Sequence, residues 1–187
     1  MRTDINEIIG KVLIDQDSVQ KRIKQLASKV NEYYNDVDND ILLVGILRGS
    51  IMFMADLAKQ LKINCKLDFM DVSSYGDEFE SSGNVKILKD LDTDVRGLDV
   101  LIVEDIIDSG NTLAFLADSL KQRGAKSVKI ITLLDKPERR EKKISPDWTG
   151  FKIPNEFVVG YGMDYKQLYR NLPYIGVLKE QVYEDEA

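Results

Sequence analysis

Residues Leu101–Leu113, LIVEDIIDSGNTL, hold the strongest signal in the chain. Val100, Leu101, Ile102 and Val103 form an apolar run of the kind that makes a buried parallel strand. Glu104 and Asp105 stand at its end, Asp108 follows, and Ser109-Gly110-Asn111-Thr112 opens an amphipathic helix. Free backbone N–H groups and the helix dipole at such a turn attract a phosphate. Ser109 and Thr112 can add hydroxyl donors, and Gly110 lets the backbone approach a ligand closely. Adjacent acids suit a cis-diol such as a ribose, or its magnesium ion. Taken singly, an acidic pair begins a solvated loop and a D-x-G-x-T turn caps a helix. In this order, after this strand, they predict a site for a phosphorylated sugar.

The surrounding sequence alternates strand and helix patterns. Val19, Ile23, Leu26, Ala27, Val30, Tyr33 and Tyr34 recur at helical spacing, with Ser18 as the expected N-cap. Ile41 to Leu47 reads as a strand, and a helix follows to about Leu61. Lys66 to Val72 reads as another strand, and Ser73 to Asn84 as a long polar loop. Val85 to Leu88 and Leu98 to Val103 continue the sheet. A helix over Asn111 to Arg123 stops at Gly124, and Ser127 to Leu134 is a further strand. This order implies an α/β fold with a parallel, doubly wound sheet, whose ligands lie at the C-terminal ends of the strands. Beyond Leu134 the alternation fades into short apolar runs, Phe157 to Val159 and Tyr174 to Leu178.

Composition narrows the chemistry. The chain has 187 residues, enough for one domain with a sizeable core. A net charge of −6 argues against indiscriminate binding of nucleic acid or of a membrane surface. No run approaches the length of a membrane span and no secretory h-region follows Met1. The single Cys65 fits a reducing, cytoplasmic setting. The chain has no histidine, so imidazole bases and His-ligated zinc are excluded. Proton transfer falls to Asp, Glu, Lys, Tyr, Cys or the substrate, and oxygen-ligated magnesium is the natural metal.

Four further segments lie where such a crevice would use them. Leu47-Arg48-Gly49-Ser50 follows a central strand and could present N–H groups and one positive charge to a second phosphate. A plain strand–helix turn with a solvated Arg48 would look the same. Ser74-Tyr75-Gly76 heads the polar loop, which would serve as a lid excluding water. Lys136 stands just after the strand ending Leu133-Leu134-Asp135, while the neighbouring Arg139 and Arg140 read as solvated. Pro154 to Leu178, PNEFVVGYGMDYKQLYRNLPYIGVL, contains Phe157, Asp164 and Arg170.

With these segments in view, the chain resembles the type I phosphoribosyltransferases, and EDIIDSGNTL resembles their signature for phosphoribosyl pyrophosphate (PRPP). Lys136, FVVGYGMDY and the Ser74-Tyr75 pair resemble the hypoxanthine-guanine branch. The resemblance runs from about residue 5 to residue 180, although many relatives carry Lys where Arg48 and Asn111 stand.

It implies a single domain over residues 1–187, with a core at about 37–135 and a hood from about 1–16 and 136–187. The implied reaction moves 5-phosphoribose from PRPP to hypoxanthine or guanine, giving IMP or GMP and pyrophosphate, in a homodimer or homotetramer. Glu104, Asp105, Asp108, Ser109, Gly110, Asn111 and Thr112 would hold the ribose and 5-phosphate. Asp108 would be the general base, with Ser74 and Tyr75 in a catalytic lid. Leu47, Arg48, Gly49 and Arg170 would meet the pyrophosphate, the first through a cis Leu47–Arg48 peptide. Lys136 would bind the purine 6-oxygen, Phe157 would stack on the base and the Val158 backbone would bond it. Asp164 would lie beside the purine and share Mg2+ with Glu104 and Asp105. A regulator that only binds nucleotide, or a phospho-acceptor receiver domain, would share parts of this pattern.

Overall fold

The structure, a computed structural model, describes residues 5–37, 40–74 and 85–184. Its centre is β2 (Ile41–Leu47), an unbroken run of buried residues apart from its last. β2 pairs in parallel with β3 (Cys65–Ser74) on one side and with β5 (Asp99–Ile107) on the other. β6 (Ser127–Asp135) and β7 (Trp148–Lys152) extend the sheet in parallel beyond β5. β4 (Val85–Lys89) closes the opposite edge antiparallel to β3, giving a six-stranded order β4-β3-β2-β5-β6-β7.

Strand alternation divides the core into two layers. Ile41 and Leu43 of β2 and Leu101 and Val103 of β5 pack beneath α2 (Gln16–Tyr33) and α3 (Ile51–Gln60). Leu42, Val44, Val100 and Ile102 face α4 (Asn111–Gln122) on the other side. The expected doubly wound α/β architecture is therefore present, with one antiparallel edge strand that the pattern did not distinguish.

A second sheet of three strands joins β1 (Ile9–Ile14), β9 (Ile175–Leu178) and β8 (Val158–Val159), all antiparallel. Short helices α1 (Ile5–Ile8) and α5 (Gln181–Glu184) flank it. The segment after β6 is thus split between layers. Trp148–Lys152 belongs to the main sheet, not to the hood expected from residue 136 onward, because its backbone pairs with β6.

Two local expectations shift for physical reasons. Asp15, not Ser18, caps α2: its carboxylate accepts the Ser18 N–H at 2.8 Å and the Ser18 hydroxyl at 2.8 Å. Ser73 and Ser74, placed by sequence in the polar loop, continue β3 because they pair with Lys86 and Val85. Gly124 ends the α4 segment as expected, with a φ of +89°.

The sheet's outer strand depends on a glycine. Arg22 on α2 donates to the Gly150 carbonyl at 2.7 Å and to the Thr149 carbonyl at 3.0 Å, clamping β7 under the helix. A side chain on Gly150 would collide with the backbone of Leu133 in β6. Gly150→Ala should lower stability by about 1–3 kcal/mol, the usual cost of overpacking. Urea unfolding checks this, and an unchanged midpoint would contradict the packing described.

Candidate active site

β5 carries the site, and it runs further than its apolar residues suggest. The strand does not stop at Val103: pairing with β6 continues through Ile106 with Leu134 and Ile107 with Asp135. Glu104 and Asp105 are therefore inside a paired strand instead of beginning a loop. Alternation then turns them to different faces. Glu104 lines a cavity of roughly 110 Å3 with Asp108, Ser109, Gly110 and Thr112 at the start of α4. Asp105 faces the loop that leads into α3, so close to Gly49 that a methyl group there would overlap its carboxylate. The two acids do not form the side-by-side pair that their adjacency suggested.

Burial sets their chemistry. Glu104 Oε2 is enclosed without a hydrogen-bond partner. Desolvation, with Asp105 adding like charge, holds its carboxyl well above the usual carboxylate range. Asp105 is pushed up to about 6, mainly by burial, against the Ile106 N–H and the nearby Arg170, which lower it. Each can present a hydrogen-bond donor or acceptor to a sugar hydroxyl, depending on its proton.

The turn between β5 and α4 has the expected geometry. Gly110 adopts a φ of +82°, and Ser109, Gly110 and Thr112 line the cavity at the start of α4. The turn is braced from behind: the Ser109 carbonyl accepts from Glu141 N at 2.9 Å and Lys142 N at 3.1 Å. Asn111 is bound through its side chain to Glu141 at 2.7 Å.

Arg140 is not the solvated charge its position implied, whereas Arg139 is exposed as expected but ion-paired. Arg140 donates to the Asp108 carbonyl at 2.8 Å and pairs with Asp135, tying the turn to the end of β6. Arg139 Nε lies 2.8 Å from Asp108 Oδ1. Arg140 stands at a position that resembles one near the active site in the family, whereas Arg139 had no sequence signal beyond closeness to Lys136, which the pattern of surface charge hides. Lys136 itself is buried, with its backbone N–H on the Ile107 carbonyl at 3.0 Å. Desolvation lowers its pKa while Asp108 and Glu156 nearby oppose the shift.

The other wall comes from the loop after β2 and the segment between β8 and β9. The Leu47–Arg48 peptide is cis. Arg48 is exposed and donates to Gln167 Oε1 at 3.2 Å. Arg170 donates to the same oxygen at 3.1 Å and pairs with Asp164 at 2.8 Å. Asp164 also accepts the Gln167 N–H at 2.8 Å. Gln167 was not singled out in the sequence, since an isolated Gln carries no pattern. Phe157 is 39% exposed, with Tyr183 stacked on it at 5.4 Å between centroids. Val158, behind it, is buried in β8. Ser74 is the last residue of β3, whereas Tyr75 and the expected lid lie outside the described residues.

Among the described residues no three carboxylate or thiol side chains come together as a ready-made metal site. Glu104 and Asp105 diverge along the strand, and Asp164 is already neutralised by Arg170. The donor set still fits magnesium, which keeps water ligands and takes one or two carboxylates alongside substrate phosphates.

Residues 13–166 match the family model described as phosphoribosyl transferase domain. The chain belongs to that family. It is 54% identical to a Bacillus subtilis hypoxanthine-guanine phosphoribosyltransferase over 94% of this chain and 97% of the relative. It is also 54% identical to the Escherichia coli K12 hypoxanthine phosphoribosyltransferase, over 89% and 93%. A Staphylococcus aureus hypoxanthine phosphoribosyltransferase crystal structure superposes with a TM-score of 0.91 and 46% identity, covering 98% of both chains.

The raised Asp105 pKa makes a stability prediction for the ligand-free protein. Folding holds this proton more tightly than the unfolded chain does, so the contribution of this one group is fully present below about pH 4 and is lost as pH rises through about 6. Asp105→Asn removes the ionisation. At pH 8 it should be more stable than wild type by up to about 3 kcal/mol, at about 1.4 kcal/mol per pKa unit. At pH 4 the gain should nearly vanish. Equal gains at both pH values in urea unfolding would refute this account.

Proposed function

We propose that this chain transfers 5-phosphoribose from PRPP to hypoxanthine, and to guanine, releasing IMP or GMP and pyrophosphate. One observation carries this reading. The Gly110 turn at the α4 N-terminus is locked by Arg140 to the strand end that bears buried Lys136. A sugar phosphate seated on the turn thus has its anomeric end directed along the crevice toward a lysine suited to a 6-oxopurine.

The turn's N–H groups and the hydroxyls of Ser109 and Thr112 grip the 5-phosphate, and this remote binding positions the reacting carbon. Glu104 and Asp105 bond ribose hydroxyls from their two faces. Ionised, they also place negative charge near a carbon that becomes cation-like as the bond to pyrophosphate breaks. Leu47, Arg48, Gly49 and Arg170 take the leaving pyrophosphate. Asp105 and Asp164 are the residues that would hold a magnesium ion, which when bound neutralises phosphate charge.

The incoming base is recognised by its edge and its face. Lys136 donates to a keto oxygen at position 6, whereas adenine's amino group offers it no acceptor there. Phe157, steadied by Tyr183 and Tyr165, offers its exposed ring surface to the purine, and Val158 supplies backbone contact. Asp164 lies on the same wall. Asp108 takes the proton from the imidazole-ring nitrogen, and Arg139 and Lys136 steady its carboxylate. We assign Ser74 and Tyr75 to excluding water during transfer.

No helix among the described residues is long and apolar enough to cross a membrane. We place the enzyme in the cytoplasm as a homodimer or homotetramer, with exposed Ile51 and Met52 at the start of α3 available for subunit contact.

A pyrophosphate-release assay with PRPP and Mg2+ tests the function. Hypoxanthine and guanine should each support release, and adenine should not; release with adenine alone would overturn the assignment. Asp108→Asn should lower kcat by about 100-fold or more while leaving PRPP affinity within a few-fold, as expected for loss of a general base. Unchanged turnover would remove Asp108 from the proton transfer.

A further inference from the structure

The segment that carries Asp164 and Arg170 has an unusual backbone. Tyr161, Lys166, Gln167 and Tyr169 have φ values of 50°, 51°, 65° and 73°. Side chains disfavour this region, so surrounding contacts must hold the segment in place. β8 contributes little, being only Val158–Val159.

Two contacts to the main sheet layer supply the hold. Gly162 packs against the Gly49 carbonyl so closely that a methyl group there would overlap it. Next to it, Tyr161 is buried at 5% exposure and its hydroxyl donates to Asp56 on α3. Gln20 on α2 donates to that hydroxyl at 3.2 Å and to Asp56 at 2.8 Å. Lys59 pairs with the remaining carboxylate oxygen at 2.6 Å. Both carboxylate oxygens and the phenol are thus engaged, and the knot joins three elements of the chain. α3 is also the helix that begins immediately after the Arg48 loop.

We infer that Tyr161 is a positioning residue whose hydroxyl pins the turn after β8 to α3. The pin sets Asp164 and Arg170 at their working distance from Arg48, Gly49 and Asp105. The inference rests on the assignment of these residues to pyrophosphate and its metal. The connection is direct: Arg170 donates to the Gly162 carbonyl at 2.7 Å, so its guanidinium is referenced to the pinned turn. Arg48 and Arg170 then meet on one oxygen of Gln167. Phe157 and Val158 precede the turn and have anchors of their own, with Tyr165 of the pinned segment meeting the Phe157 ring only edge-on at 5.7 Å. Leu178 N bonds the Phe157 carbonyl at 2.8 Å, and Val158 pairs with Val177.

Loss of the pin should therefore separate two affinities that general destabilisation would lower together. In Tyr161→Phe, titration calorimetry should show pyrophosphate with Mg2+, and PRPP with Mg2+, binding about five- to tenfold more weakly, the size of one hydrogen bond. IMP, which lacks the pyrophosphate, should bind within about twofold of wild type. Asp56→Asn keeps an acceptor for the phenol and should retain most of the pyrophosphate affinity, whereas Asp56→Ala should match Tyr161→Phe. The Asp56 pair also carries the test should Tyr161→Phe fold poorly.

Equal losses for IMP and pyrophosphate, or no loss for either, would overturn the positioning role. Arg170→Ala separates this failure from failure of the underlying assignment. If it weakens pyrophosphate while Tyr161→Phe does not, only the pin is wrong. If it leaves pyrophosphate binding unchanged, the assignment of Arg170 falls, and the pin with it.

Discussion

The hydrogen-bonded pairing of β5 with β2 on one side and β6 on the other is the constraint on which the site depends. The chain goes from β2 outward to β3, and from β5 outward to β6 in the opposite direction. The boundary between β2 and β5 is therefore the switch point of the sheet, where helices leave to opposite faces and open a crevice. The loop after β2 enters α3 on one face and the turn after β5 enters α4 on the other. Without the central pairing, neither helix N-terminus would border the same crevice.

Holding acids there works against the stability of the empty protein. Glu104 and Asp105 sit in an environment that resists their ionisation, and the charge of Asp105 adds to the cost of ionising Glu104. A core sheet would favour apolar residues at both positions. Carboxylates at these positions make sense if a ligand or its accompanying cation supplies the missing partners. The same logic applies to Lys136, whose ammonium is buried among Asp108, Arg139 and Glu156.

The small sheet contributes geometry more than core volume. Its strands bring residues near both ends of the chain together, β1 against β9, and the segment between β8 and β9 reaches back to the loop after β2. Arg140 plays a comparable bracing part on the other wall, linking the phosphate turn to β6. Rigid references of this kind matter because a displacement of about 1 Å at reacting groups can cost about a hundredfold in rate.

Much of this was legible in the amino-acid order. The apolar runs at Ile41–Leu47 and Leu101–Val103 and the helical spacing of α2 and α4 follow from periodicities of two and 3.6 residues. Gly110 and Gly124 fit positive φ, and the absence of histidine restricted the proton carriers to a few residue types. The order of strand, acids, turn and helix pointed to a phosphorylated sugar for the same local reasons. What lay beyond reach were the consequences of contacts between distant segments. Strand pairing extended β5 past Val103 and turned Glu104 away from Asp105. It also drew Trp148–Lys152 into the main sheet. Packing buried Lys136, bound Arg139 and Arg140 to Asp108, and placed Tyr161 on Asp56. Local sequence encodes which torsions and faces a segment prefers; which charges meet is decided only when the backbone closes its long-range hydrogen bonds.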